Sequence, residues 1–227
     1  MNPQGSNWLY EASIWVLPVV FAITLHEAAH GFVAHRLGDD TAWERGRVTA
    51  NPLRHIDPVG TILMPALLIL AHAPVVFGYA KPVPVDFRRL YNPKRDMVWV
   101  ALAGPGINIV LALLAGLFLH ITPALPETAG NWVSDNLGNA IIINVILAVF
   151  NMIPLPPLDG GRVAVGLLPQ SLSRPLARLE RYGMLILILL LLVLPSLGGQ
   201  DYNLIARLIA GPADFVYRVI LTVTGNG

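Results

Sequence analysis

VLPVVFAITLHEAAHG, residues Val16–Gly31, is the stretch on which the reading of the whole chain turns. Its first ten residues suit the middle of a membrane. It then places three ionisable side chains, His26, Glu27 and His30, within five residues. A charged group in hydrocarbon costs about 2.5–3.5 kcal/mol or more, so such residues mark function. On an α-helix, positions i and i+4 share a face one turn apart. His26 and His30 therefore aim two imidazoles at one point, with Glu27 beside it. This is the H-E-x-x-H arrangement, in which two histidines hold Zn2+ and the glutamate acts as general base. The pattern also arises by chance in ordinary helices. A zinc centre needs at least one further protein ligand, so the rest of the chain tests it.

Composition sets the frame for that test. Of 227 residues, 55% are hydrophobic and 13% charged, with a mean hydropathy of +0.61. Soluble domains carry about 25% charged residues, so the expectation is a membrane protein. The net charge of +1 says nothing about nucleic acid, and the lack of a basic block with interleaved aromatics predicts no nucleic-acid partner. With no cysteine there is no disulfide framework, no thiolate zinc site and no thiol nucleophile. The N-terminal residues lack the basic region of a signal peptide, so the first apolar run is read as retained.

Outward from Val16–Gly31, residues 8–37 predict one long helix closed by Gly38. Residues 41–58 are polar and β-tolerant, predicting an interfacial loop with short strands. His55 and Asp57 there are either site neighbours or ordinary loop residues. Residues 59–77 are apolar but broken by Gly60, Pro65 and Pro74, and either span the bilayer or form a re-entrant pair of half-helices. The K-P-V-P-V run within 78–96 predicts an extended segment, with an edge open to an extended peptide. Residues 97–121 and 137–153 predict membrane helices, with a loop over 122–136 between them. Residues 182–194 predict a further short span, and the amphipathic stretch 204–223 is either a last span or an interfacial helix. The expected fold class is an all-α polytopic membrane protein. It has about five to six membrane helices and a small β-type or re-entrant element between the first two core helices. Residues 1–227 are read as a single integral-membrane domain, with a catalytic core over about 8–170 and C-terminal helices over about 180–224.

Charge predicts the orientation. Thirteen of the fifteen Lys and Arg residues fall in 36–58, 78–96 and 160–181, and none in 1–7 or 122–136. The positive-inside rule makes the three basic loops cytoplasmic and the N-terminus external. HEAAH, Asn108 and Asp159 then share one depth on the cytoplasmic side, and 59–77 enters and leaves on that side.

Asp159 is the natural third zinc ligand, because a carboxylate beside two imidazoles is a common catalytic set. Its alternative is a turn residue in Leu158-Asp159-Gly160. With zinc on His26, His30 and Asp159, one ion per chain, Glu27 takes a proton from water and later donates it to the leaving amine. Asn108 and Asn151 are candidate catalytic amides for the oxyanion or substrate backbone, or helix glue.

HEAAH at 26–30, AGPGIN at 103–108 and NMIPLPPLDGG at 151–161 together resemble the signatures of the site-2 protease family, intramembrane zinc metalloproteases of the M50 class. The likeness runs from about Leu25 to Arg162 and takes in GRVTANPLRHIDP and GYAKPVPV. It implies zinc on His26, His30 and Asp159, Glu27 as catalytic base, and Asn108 and Asn151 as substrate or oxyanion contacts. It also implies cleavage of membrane-anchored, single-pass proteins within the lipid bilayer of the cell membrane, usually after another protease has shortened them. The expected form is a short one without the PDZ or CBS domain that many members carry. A metal-ion transporter using the same three ligands, and a catalytically inactive scaffold, are the alternative readings.

Overall fold

The computed structural model describes residues 3–71, 78–194 and 204–227. In chain order its helices are α1 (Pro3–Arg36), α2 (Pro58–Leu70), α3 (Pro93–Phe118), α4 (Glu127–Asn151), α5 (Asp159–Leu167), α6 (Gln170–Arg178), α7 (Glu180–Ile188) and α8 (Leu204–Val223). Lipid offers no hydrogen bonds to a backbone, so an apolar chain satisfies its peptide groups internally as helix. Among the described residues, three stretches are long and apolar enough to cross a membrane: Trp8–Arg36, Pro93–Ala124 and Glu127–Asn151. Val16, Phe21, Trp99, Leu117 and others on these helices are exposed. A surface this apolar is one that faces lipid.

The centre is a three-helix packing of α1, α3 and α4. Their directions follow from the pairs that meet. Ser13 accepts from Trp132 Nε1 and Ile14 O from Asn139, whereas Asn108 reaches both Ala22 O and Asn144. Residue numbers rise together along α1 and α4, so these helices are parallel. Val100 meets His30 while Asn108 meets Ala22, so α3 runs against both. This is the parity expected from the charges. α8 packs along α3 and α4, with Ile205 among Ile153, Leu158 and Leu187, and Ile220 among Ala112, Ala115, Ile141 and Val145. At its far end His120 Nε2 donates to Thr224 O at 2.6 Å. It therefore runs parallel to α3.

The connection from α1 to α3 differs from expectation. No strand occurs among the described residues, so the β-type element expected there is absent from them. Residues 41–58 form a helical turn at Thr41–Glu44 and a 3-10 turn at Pro52–His55 instead. Asn51 caps the second of these turns with its side chain, and Asp57 caps the start of α2 that follows. Residues 72–77 of the expected 59–77 element lie outside the described residues. The chain returns at Tyr79 to the foot of α2, where Tyr79 N donates to Gly60 O at 3.0 Å. The loop expected over 122–136 is also largely helical, because α4 begins at Glu127. Its polar first turns are held by α1, with Tyr10 donating to Asp135 Oδ2 at 2.5 Å.

Candidate metal centre and active site

Four pieces of chain meet at the site. HEAAH lies on α1, its apolar neighbours facing α3 and α4. The 152–158 turn leads into α5, whose first residue is Asp159. Gly160 and Gly161 let that helix start seat on the turn. A Cβ on Gly160 would stand 2.6 Å from Ile153 O, and one on Gly161 2.5 Å from Leu155 C. Gly104 on α3 faces the two imidazoles, and a Cβ there would meet His30 Nε2 and stand 2.5 Å from His26 Cε1. Gly104 therefore makes room for the two imidazoles, and Gly160 and Gly161 for the backbone of the turn that presents Asp159.

His26 Nε2, His30 Nε2 and Asp159 Oδ2 form a triangle with sides of 3.1, 3.2 and 3.3 Å. All three side chains are buried. The hydrogen-bond network fixes what those atoms carry. His30 Nδ1 lies 2.7 Å from Val100 O, which only accepts, so Nδ1 bears the proton and Nε2 a lone pair. Asn144 Nδ2 donates to Ala140 O, so Asn144 Oδ1 must accept from Asn108 Nδ2 at 2.7 Å. That orients Asn108 Oδ1 toward His26 Nδ1 at 2.6 Å, which must then donate. Both Nε2 atoms thus present lone pairs to each other and to Asp159 Oδ2, which is buried without a hydrogen-bond donor.

Three converging lone pairs repel unless a cation lies between them. Ligands about 2.0–2.1 Å from a tetrahedral zinc stand about 3.3–3.4 Å apart, which the observed triangle nearly matches. Two imidazoles whose other nitrogens donate to an amide or carbonyl oxygen are also the usual supporting arrangement around such a metal. The residues fit zinc.

The triangle opens on a cavity of about 320 Å³ lined by Glu27, Asn151 and Arg162 among largely apolar groups. Glu27 is half-buried, and its Oε2 accepts from Val83 N at 2.7 Å. Asn151 uses one N–H on Leu147 O, at 3.0 Å, which leaves its second N–H and its carbonyl for the cavity. Of the readings given to Asn108, its placement favours the bridge between helices. Asn108 is fully buried behind His26, does not line the cavity, and has both ends of its amide engaged. His26 stands between its amide and the cavity.

His55 and Asp57 do not join the site. His55 is buried with Nε2 on Thr49 O, and Asp57 caps α2. The extended run over 78–86 is present, and part of its edge is taken up within the chain. The N–H groups of Tyr79, Lys81 and Val83 are taken by Gly60 O, His55 O and Glu27, and Pro82 and Pro84 have none. Asn144 and Gly31 were missed by sequence reasoning. Asn144 carried the same signal as Asn108, an amide within an apolar run. Gly31 gave no signal apart from the contact it permits, since a Cβ there would lie 3.0 Å from Val83 Cγ1.

A helical membrane protein with two histidines and a carboxylate converging beside a glutamate is a metallopeptidase by its site. Comparison with known proteins agrees. Residues 118–194 match the family model described as Peptidase family M50. That range includes Asn151 and Asp159 and leaves out HEAAH. Over 179 residues the chain is 36% identical to YwhC of Bacillus subtilis, covering 77% of this chain and 78% of that one. It is 32% identical over 187 residues to Rip2 of Mycolicibacterium smegmatis, covering 82% and 69%. It is also 30% identical over 153 residues to MJ0611 of Methanocaldococcus jannaschii, covering 64% and 70%. Each of the three is named "putative zinc metalloprotease". No solved structure matches the chain. The chain belongs to peptidase family M50, the site-2 protease family, and is a zinc metalloprotease.

Proposed function

We propose that this chain is an intramembrane zinc endopeptidase that cuts single-pass membrane proteins in or near their transmembrane segments. The observation that carries the reading is the triangle of lone pairs beside Glu27 on a membrane helix. His26 lies ten residues before Arg36, about 15 Å along the helix, or half the thickness of a ~30 Å hydrocarbon core.

His26 Nε2, His30 Nε2 and Asp159 Oδ2 would hold the zinc. Bound there, zinc supplies Lewis acidity, polarising the scissile carbonyl and lowering the pKa of water at the site toward about 7. Val83 N–H fixes Oε2 of Glu27, so Oε1 is the atom that takes a proton from water and delivers it to the leaving amine. The free N–H of Asn151 faces the cavity and serves the oxyanion or the substrate backbone. Asn108 acts on His26, holding its tautomer and ring orientation.

The reading extends to topology. α1, α3, α4 and α8 cross the cell membrane, while α2 and α7 enter it without crossing; the stretch 182–194, expected to span, does not do so in this reading, because Leu187 packs with Ile205 at the start of α8. The N-terminus is external and the three basic loops are cytoplasmic. The return of the chain from α2 to Gly60 supports a re-entrant element. The whole of 1–227 then acts as one integral-membrane domain, whose partners are the lipid bilayer and the substrate's membrane segment.

Mapping the cut tests this reading. Purified protein is reconstituted in liposomes with a single-pass reporter of destabilised transmembrane helix, and the products are sequenced by mass spectrometry. A cut within or at the edge of the hydrophobic segment is expected. Cuts confined to the soluble flank would contradict the intramembrane part of the reading.

A further inference from the structure

The peptide group that joins Pro82 to Val83 lies between two charged side chains. Its N–H donates to Glu27 Oε2 at 2.7 Å. On its other side Pro82 O lies 3.4 Å from Arg47 Nη2, which also donates to Lys81 O at 2.7 Å. Arg47 is buried, its Nε has no hydrogen-bond partner, and among the described residues no carboxylate pairs with it directly. Burial lowers the Arg47 pKa from its ordinary value, and the Glu27 charge opposes that shift. A buried cation without an adjacent anion calls for compensation. Here a peptide dipole of about 3.5 D supplies it, with oxygen toward the guanidinium and N–H toward the carboxylate.

We propose that Arg47 is a positioning residue of the peptidase, acting through the Pro82–Val83 peptide to hold the Glu27 carboxylate. The proposal rests on the reading of Glu27 as the base. The segment that transmits the effect has little slack. Pro82 and Pro84 fix their φ angles. Lys81 N is held by His55 O at 2.9 Å and Asp86 N by Asp39 Oδ2 at 2.7 Å. Val83 is packed against Gly31, one residue beyond HEAAH. Arg47 thus acts from outside the cavity, whose lining does not include it.

The test compares zinc-loaded wild type with Arg47→Met, Val83→Pro and the double variant, using the liposome reporter. Val83→Pro keeps an extended backbone but removes the one N–H that reaches Glu27. Each single variant is expected to retain one zinc per chain and to lose kcat on the order of 10- to 100-fold, with KM within about twofold of wild type. The double variant is expected to be no worse than the poorer single one, because both break the same link; independent structural defects would multiply instead. Hydrogen exchange supplies a readout without turnover. Amides in 79–86 should exchange faster in Arg47→Met, with the 23–33 segment of α1 unchanged. Arg47→Lys, which restores a charge and a donor, should recover part of kcat. It also carries the test if Arg47→Met does not fold, since a kcat loss in Arg47→Lys that multiplies with that of Val83→Pro, or a kcat loss with wild-type exchange over 79–86, would overturn the proposal. Wild-type kcat or wild-type exchange in folded Arg47→Met would overturn it equally. Failure of the underlying reading is distinguishable, because it would show as undiminished cleavage by Glu27→Gln whatever Arg47 does.

Discussion

Asn108 stands between His26 and Asn144, its Oδ1 2.6 Å from His26 Nδ1 and its Nδ2 2.7 Å from Asn144 Oδ1. The pair converts an amide buried between two membrane helices into an orientation device for an imidazole. Asn108→Leu would leave two buried polar groups unpaired, each costing about 1–3 kcal/mol. Zinc affinity should fall by about 10- to 100-fold, measured by competition with a chelator of known affinity. Unchanged affinity in the folded variant would show that the His26 ring is held by packing alone.

Two glycines of one motif should behave oppositely. A Cβ at Gly104 would collide with both imidazoles, whereas nothing lies within 4 Å of one at Gly106. Gly104→Ala should therefore lose zinc by elemental analysis of purified protein, and Gly106→Ala should keep one ion per chain. Equal zinc in the two variants would mean that α1 and α3 can separate without cost to the site.

Metal removal should act on the fold as well as on activity. Ligand binding to the native state alone stabilises it by about 4 kcal/mol at a thousandfold excess over Kd, and the metal-free triangle sets three lone pairs against each other. Chelation should lower the melting temperature of the detergent-solubilised protein, zinc should restore it, and Asp159→Asn should abolish most of the zinc response. A melting temperature indifferent to chelator would remove the structural argument for the centre.

The glycines of L-D-G-G have a mechanical part in this. Gly161 packs against the Leu155–Pro156 backbone, so Gly161→Ala must push α5 away from the turn that presents Asp159. Overpacking of this kind costs typically about 1–3 kcal/mol. The expected result is a lower melting temperature together with weaker zinc binding, since Asp159 moves with α5. A stability loss with wild-type zinc affinity would show that Asp159 follows the metal and not the helix.

The site was legible in the sequence where its chemistry has a fixed spacing. His26 and His30 are one turn apart on a single helix, and the apolar surroundings made their charge-bearing groups conspicuous. The parity of α1, α3 and α4 was legible from where Lys and Arg fall. What was not legible depends on contacts between distant segments. Nothing local to Asn108 says whether its amide faces a cavity or the back of an imidazole, and the answer comes from Asn144, 36 positions along the chain. The K-P-V-P-V run was rightly read as extended, but the N–H groups of Tyr79, Lys81 and Val83 are taken by Gly60, His55 and Glu27, so the edge expected to be open is so only in part. Residues 127–136 read as a loop because their polarity broke the apolar run. Pairing with Tyr10 and Ser13 on α1 makes helix the better state for them.

The most direct test of the account is cleavage of a transmembrane reporter by wild type beside Glu27→Gln, with bound zinc quantified in both proteins. Glu27 lies beside the ligand set without belonging to it. The account predicts one zinc per chain in each and a loss of about 10²–10⁴-fold in rate for the variant alone. Equal cleavage by both proteins, or no zinc in folded wild type that has never met a chelator, would contradict it.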